Sequence, residues 1–167
     1  MTKNIKKRAL IIAMILIVIY GFYKLADLFS QGSYTNAEVY ELNFQEEKVI
    51  EAIKQFKIDH AEMVVPKVTI ENKGSYNLSE SEGRKDYSHW YLIYFYYPKE
   101  NQIVFTWTRP NENGKTNFAL VSMNYGLDIG HWKDINKDFS FLENRQIKKD
   151  FEERILDPIK RILKNDE

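Results

Sequence analysis

Four basic residues, Lys3, Lys6, Lys7 and Arg8, lead directly into fifteen uncharged residues, Ala9 to Tyr23, nearly all apolar. Such a run restricts what its part of the chain can become, because it has no polar face to turn to water. As a helix, fifteen residues reach roughly 22 Å, short of a ~30 Å hydrocarbon core. Continuing through Lys24, Leu25, Ala26, Asp27, Leu28 and Phe29 gives about 21 residues and a full span, with Lys24 placed to snorkel at the far boundary. Tyr20, Phe22 and Tyr23 suit an interfacial aromatic belt. The sequence therefore predicts a cytoplasmic tail over 1–8 and a single transmembrane signal anchor over 9–29. The excess of basic residues on its N-terminal side puts the N-terminus inside and the remainder outside. A cleaved signal peptide is one alternative, but no Ala-x-Ala type site comes after the run; a buried soluble helix is another, disfavoured because no polar face interrupts the run. With no cysteine in the chain, a lipid-modified cysteine anchor is excluded.

Beyond residue 30 the character changes to a polar, aromatic-rich chain. Lysine and arginine total 24, as do aspartate and glutamate. Lys3, Lys6, Lys7, Arg8 and Lys24 lie in the first 30 residues against Asp27 alone, so the remainder of the chain is net acidic. An acidic domain without a Lys/Arg cluster is a poor polyanion binder, which argues against nucleic acid as a partner. The wealth of Lys, Asn, Ile, Tyr and Phe fits an AT-rich bacterial genome. Without disulfides, stability has to come from an ordinary packed core.

Residues 30–42 carry little hydrophobic pattern and read as a tether, leaving 43–167 as one domain. Asn43 with Glu46 three residues on suggests a capping box for a first helix. Val49, Ile50, Ile53 and Phe56 mark its apolar face, and it should end between Lys57 and His60. Met63 to Ile70 reads as a strand, with Pro66 confined to its start or to a sheet edge. Glu71 to Ser88 is a long polar loop. Its Asn77-Leu78-Ser79 is a formal glycosylation sequon, which such a short match makes a chance occurrence. His89 to Tyr97 is strongly β-prone and is followed by turn residues Pro98 to Asn101. Gln102 to Thr108 returns as a strand, and a turn centred on Asn113-Gly114 leads to a third, Thr116 to Met123. After an irregular stretch, Asn124 to Lys137, a long helix begins between Phe141 and Asn144. Ile147, Phe151, Ile155, Ile159 and Leu163 form its stripe, and Pro158 should kink or break it near Leu156-Asp157. The predicted class is α+β. A transmembrane helix precedes an antiparallel meander of about four strands, packed against an N-terminal and a long C-terminal helix.

Catalytic signatures are missing from the sequence. Ser122 stands outside any nucleophile elbow, a thiol nucleophile is impossible, and neither phosphate-cradling glycine motif occurs. No cofactor is expected. Asp128, His131 and Asp134 are spaced so that a curled loop could surround a divalent cation, giving a metal-dependent hydrolase as an alternative. The other reading pairs His131 with a neighbouring carboxylate and puts Trp132 in the core. His60, near Asp59 and Glu62, suits a helix C-terminus, and His89 has no recognisable partner. The charges of the last helix, among them Glu143, Asp150, Glu152 and Glu153 with Lys148, Lys149 and Arg154, make a solvated face.

The aromatic strand is the more unusual feature. Alternation puts Trp90, Leu92, Tyr94 and Tyr96 on one face and Tyr91, Ile93, Phe95 and Tyr97 on the other. One face must pack on helices. The other either lies beneath the Glu71–Ser88 and Asn124–Lys137 segments or is open to a partner. In the open case Trp90, Tyr94, Tyr96, Trp107 and Arg109 are the candidate binding residues, since Tyr, Trp and Arg dominate interface hot spots. These observations favour a membrane-anchored, non-catalytic protein-binding module outside the cytoplasmic membrane of a bacterium, of accessory or immunity type. A subunit of an envelope or secretion assembly is the alternative.

Overall fold

The aromatic strands make the centre of an antiparallel sheet. The computed structural model describes residues 12–16, 18, 20, 34–70, 74–111 and 113–165. The chain divides into two compact units, Met1–Thr35 and Asn36–Glu167. In the first, residues 12–16, 18 and 20 are helical. In the second, strand β1 (Glu38–Leu42) precedes helix α1 (Glu46–Asp59), and a short hairpin comes next, built from β2 (Val68–Thr69) and β3 (Ser75–Tyr76). Strands β4 (Gly83–Arg84), β5 (Tyr91–Tyr97), β6 (Gln102–Pro110), β7 (Thr116–Tyr125) and β8 (Lys133–Asp134) succeed it. Helices α2 (Phe141–Phe151) and α3 (Asp157–Asn165) end the chain, joined by a widened π turn, Glu152–Leu156.

The expected fold class needs correction in two respects. The α+β class and the antiparallel sheet stand, but among the described residues no helix is long and apolar enough to cross a membrane. A span would need the uncharged fifteen residues plus the stretch holding Lys24 and Asp27, and no such helix is present among them. The tail and most of the 9–29 segment fall outside the described residues. The main sheet also has six strands rather than about four, in the order β1-β7-β6-β5-β4, with β8 beside β7. Glu38–Leu42, read as tether, is a strand in register with Thr116–Leu120 of β7. Its alternation turns Leu42 inward and Val39 outward. The strand expected over Met63–Ile70 shrinks to Val68–Thr69. Pro66 supplies no N–H for pairing, and Ala61–Met63 closes instead as a 3₁₀ turn.

One face of the sheet carries the main core. Val49, Ala52, Ile53 and Phe56 of α1 meet Ile93, Phe95, Val104, Phe118 and Leu120 of the sheet. Phe151, Ile155, Ile159 and Leu163 complete it from the C-terminal helices. A register shift between Phe105 and Thr106 leaves Val121 as an extra residue on β7. Strict alternation would put Leu120 and Met123 on opposite faces, and the bulge keeps both in this core. The β6–β7 turn is closed by Asn111, whose side-chain oxygen accepts from the N–H groups of Asn113 and Lys115. Gly114 there has φ +69°, backbone space that suits glycine.

The helix does not break at Leu156-Asp157; it passes through Pro158 by way of the π turn. The Asp157 N–H reaches the Glu152 carbonyl, five residues back, so the helix widens just before the proline. A wider turn draws the preceding carbonyls away from the pyrrolidine ring. The first helix starts differently from its predicted box. Its cap is Gln45, with no side-chain cap bond, and Glu46 turns inward. The capping box belongs to α2: Glu143 N–H donates to Ser140 Oγ, and Ser140 N–H to Glu143 Oε2 at 3.0 Å.

Candidate functional site

Of the candidate rings, Tyr94 and Tyr96 lie together on one sheet face. Tyr94 stacks on Phe105 with centroids 5.0 Å apart, and Trp132 approaches both at 6.2 and 6.0 Å. Tyr94 and Tyr96 pack against a second cluster of Val68, Leu78, Ile103 and Ile129. The segments around Val68, Leu78 and Ile129 therefore lie over this face, and both tyrosines are half-buried. Asn124 shapes one of the covers: its side-chain amide donates to the carbonyls of Gly126 and Asp128, and its oxygen accepts from His131 N–H. The Tyr96 hydroxyl donates to Asn101 Oδ1 at 2.8 Å. Trp107 is 2% exposed, with the Arg109 guanidinium 5.5 Å from its ring centroid. Trp90 is half-buried and its backbone N–H donates to Ser88 Oγ.

Asp128, His131 and Asp134 are not gathered. Asp128 accepts from Thr69 Oγ1 at 3.1 Å, while Asp134 faces Asn36 and Lys137. Among the described residues no three His, Asp or Glu side chains come together as a metal site. His60 stands at the end of α1, its ring 4.6 Å from Phe56 and its Nδ1 3.4 Å from Glu62.

Sequence reasoning missed a different feature. The β4–β5 hairpin pairs Gly83 with Leu92 and Arg84 with Tyr91, leaving Lys85 to Trp90 as its loop. Ser88 N–H donates to Lys85 O at 2.9 Å, which closes a turn. Within that turn Tyr87 has φ +64° and a fully exposed side chain. Among the described residues, asparagine fills the other two non-glycine positive-φ positions, Asn101 and Asn136, and only such short polar residues enter this region readily. The available signal was a bulky aromatic set between the polar residues Asp86 and Ser88.

Arg84 holds the turn in shape. Its Nη1 donates to the carbonyl of His89 at 2.6 Å and to that of Ser88 at 3.5 Å. Its Nη2 pairs with Glu46 Oε2. Glu46 is the first residue of α1, only 6% exposed, and its other oxygen accepts from Thr108 Oγ1 at 2.9 Å. Thr108 is itself buried on β6. Burial pushes the Glu46 carboxyl above its usual range and Glu47 adds to the rise, while Thr108 and Arg84 pull it back. A second pair lies alongside. Lys57 of α1 meets Glu82, which also accepts Tyr94 N–H at 2.9 Å. Burial lowers the Lys57 ammonium below its ordinary value, and Glu82 opposes that. The segment Glu82–Arg84 is thus tied to α1 by two ion pairs of opposite polarity.

This arrangement presents a fully exposed aromatic side chain on a turn anchored by Arg84. Comparison with protein-family models, with curated proteins and with solved structures finds no match for this chain.

Proposed function

We propose that residues 36–167 are a non-catalytic protein-binding module of a bacterial envelope that docks through the Lys85–Trp90 hairpin. The observation carrying this reading is Tyr87: a bulky ring, fully exposed, in a backbone region that disfavours it, on a turn fixed by Arg84. Backbone strain that persists at an exposed position points to use rather than packing. Tyrosine buries a large area at small entropic cost, and a pre-shaped loop lowers the cost of binding further. Lys85 and Asp86 beside it offset each other in charge, which favours a protein pocket over an anionic lipid surface. Placement outside the cytoplasm is part of the proposal and rests on the basic and then apolar leader of residues 3–23.

Photo-crosslinking tests this directly. A photoreactive side chain is placed at 87 in the full chain, and for comparison at Ile58 on α1 and at Phe141 and Leu142 on α2, all exposed. The expected outcome in cells is one protein adduct of defined mass from position 87 and none from 58. Adducts from 141 or 142 alone would move the site to α2. Labelling at 87 no stronger than at 58, or labelling of lipid, would overturn the reading.

A further inference from the structure

We infer that Glu46 and Arg84 form a proton-operated latch, in which the charge on a buried carboxylate decides whether the Tyr87 turn is fixed or free. This rests on the proposed role of the hairpin and names how that site is regulated. The connection is short. One guanidinium bridges the Glu46 carboxylate, inside the domain, to the Ser88 and His89 carbonyls that shape the loop. Arginine keeps its charge at every pH of interest, so Glu46 is the member of the pair that titrates. When Glu46 takes a proton from solvent, the Arg84 guanidinium loses its anionic partner and gains by turning to water. The two carbonyls then lose their donor, and residues 85–89 retain the Lys85–Ser88 turn bond and the Ser88–Trp90 contacts.

Among the described residues, three groups face the carboxylate. Thr108 of β6 donates to it, Arg84 of β4 pairs with it, and Glu47 of its own helix repels it. The N-terminus of α1 adds a favourable dipole for the anion. Burial outweighs these attractions and moves the protonation above the ordinary glutamate value of 4.5, toward mild acid. Release therefore precedes the titration of ordinary surface carboxylates. Lys85, Asp86 and His89 are the acidic and basic side chains of the loop itself. His89 needs a control, because histidine is the side chain that ordinarily gains charge in mild acid.

The test is backbone amide relaxation of residues 85–89 in the full chain, without any partner, from about pH 7.5 to about pH 4. Four proteins are compared: wild type, Glu46→Gln, Arg84→Lys and His89→Asn. In wild type and His89→Asn the order parameters should fall from about 0.85 to below about 0.6 as pH drops, with a midpoint above 4.5. In Glu46→Gln they should be low and flat with pH. Arg84 sits at the sheet edge, so Arg84→Lys leaves the core intact. It keeps the charge but loses the fork that spans both sites, and should also be mobile throughout. A wild-type loop equally ordered across the range, a pH profile retained in Glu46→Gln, or one abolished in His89→Asn would overturn the latch. The readout is loop order alone, so a failed latch leaves the crosslinking result untouched, and a failed crosslink leaves the latch standing.

Discussion

Tyr87 shows how one residue can carry a cost that its neighbours avoid. Left-handed backbone costs an L-residue with a bulky side chain roughly 1–2 kcal/mol, and glycine escapes that cost. Tyr87 makes no apolar burial in return, since its ring is fully exposed. Tyr87→Gly is therefore expected to leave the domain at least as stable, with a gain up to about 1 kcal/mol after the extra freedom of glycine in the unfolded chain is subtracted. Chemical denaturation measures this. The same variant should no longer co-purify with the partner that a photoreactive group at 87 identifies, if the ring is the contact proposed. Gain in stability with loss of binding separates a residue kept for contact from one kept for folding. The strain itself was invisible in the sequence, because φ at position 87 is set by closure of the turn by Ser88 and its bracing by Arg84.

The elements divide by how local their causes are. The periods of β5 and β6 and the stripe Ile147, Phe151, Ile155, Ile159, Leu163 were legible, since each is written within one segment; β7 was legible as a strand but not as a bulged one. Pro158 was legible as a disturbance, though not as the π turn that accommodates it. That turn leads to a specific expectation. A proline forced into a regular helix interior costs about 3 kcal/mol, but here the widened turn already makes room for it. Pro158→Ala should shift stability by less than about 1 kcal/mol, as read by thermal unfolding; a gain near 3 kcal/mol would show that the ring is strained in place. The capping boxes show the opposite side. Asn43 and Glu46 have the spacing of one, as do Ser140 and Glu143, and only the second pair forms it. Glu46 was diverted by Arg84 and Thr108, which lie 38 and 62 residues away along the chain. Pairs that distant leave no periodic trace. Short strands such as β2, β3 and β4, two residues each, leave none either.

For the domain as a whole, acid response is set by carboxylates shifted in opposite directions. Glu41, Glu100 and Glu143 are held below their ordinary range, chiefly by hydrogen bonds from Lys115, Arg154 and Ser140. Stability from these groups is present above the unfolded value of 4.5 and is lost as pH falls through their lowered values. Glu46 is shifted the other way. Its folded form takes up a proton more readily than its unfolded form, so its contribution grows as pH falls through its raised value. In Glu46→Gln that counterweight is gone, and stability should drop more steeply on acidification than in wild type, each measured against its own neutral value. Urea titrations at stepped pH check this, and parallel curves would contradict it. The candidate site was partly legible at this scale. The aromatic face of β5 was legible, and of the two readings for it the structure has the covered one: Leu78 comes from the Glu71–Ser88 segment, and Ile129 and Trp132 from Asn124–Lys137. The hairpin beside it, held by contacts from α1 and β6, had to be seen folded.

Glu82 has a consequence for how copies of this chain treat one another. Strand β4 pairs only with Tyr91 and Leu92, so the rim of β5 runs past the end of its partner. There a carboxylate receives the Tyr94 amide that another strand would otherwise take, and Lys57 neutralises its charge. At the opposite rim Glu38 and Glu41 put carboxylates along β1, engaged by Lys148 and Lys115. An incoming identical strand would have to displace bound side chains at both borders before it could stack on, which discourages fibre growth even at the high local concentrations of a crowded compartment.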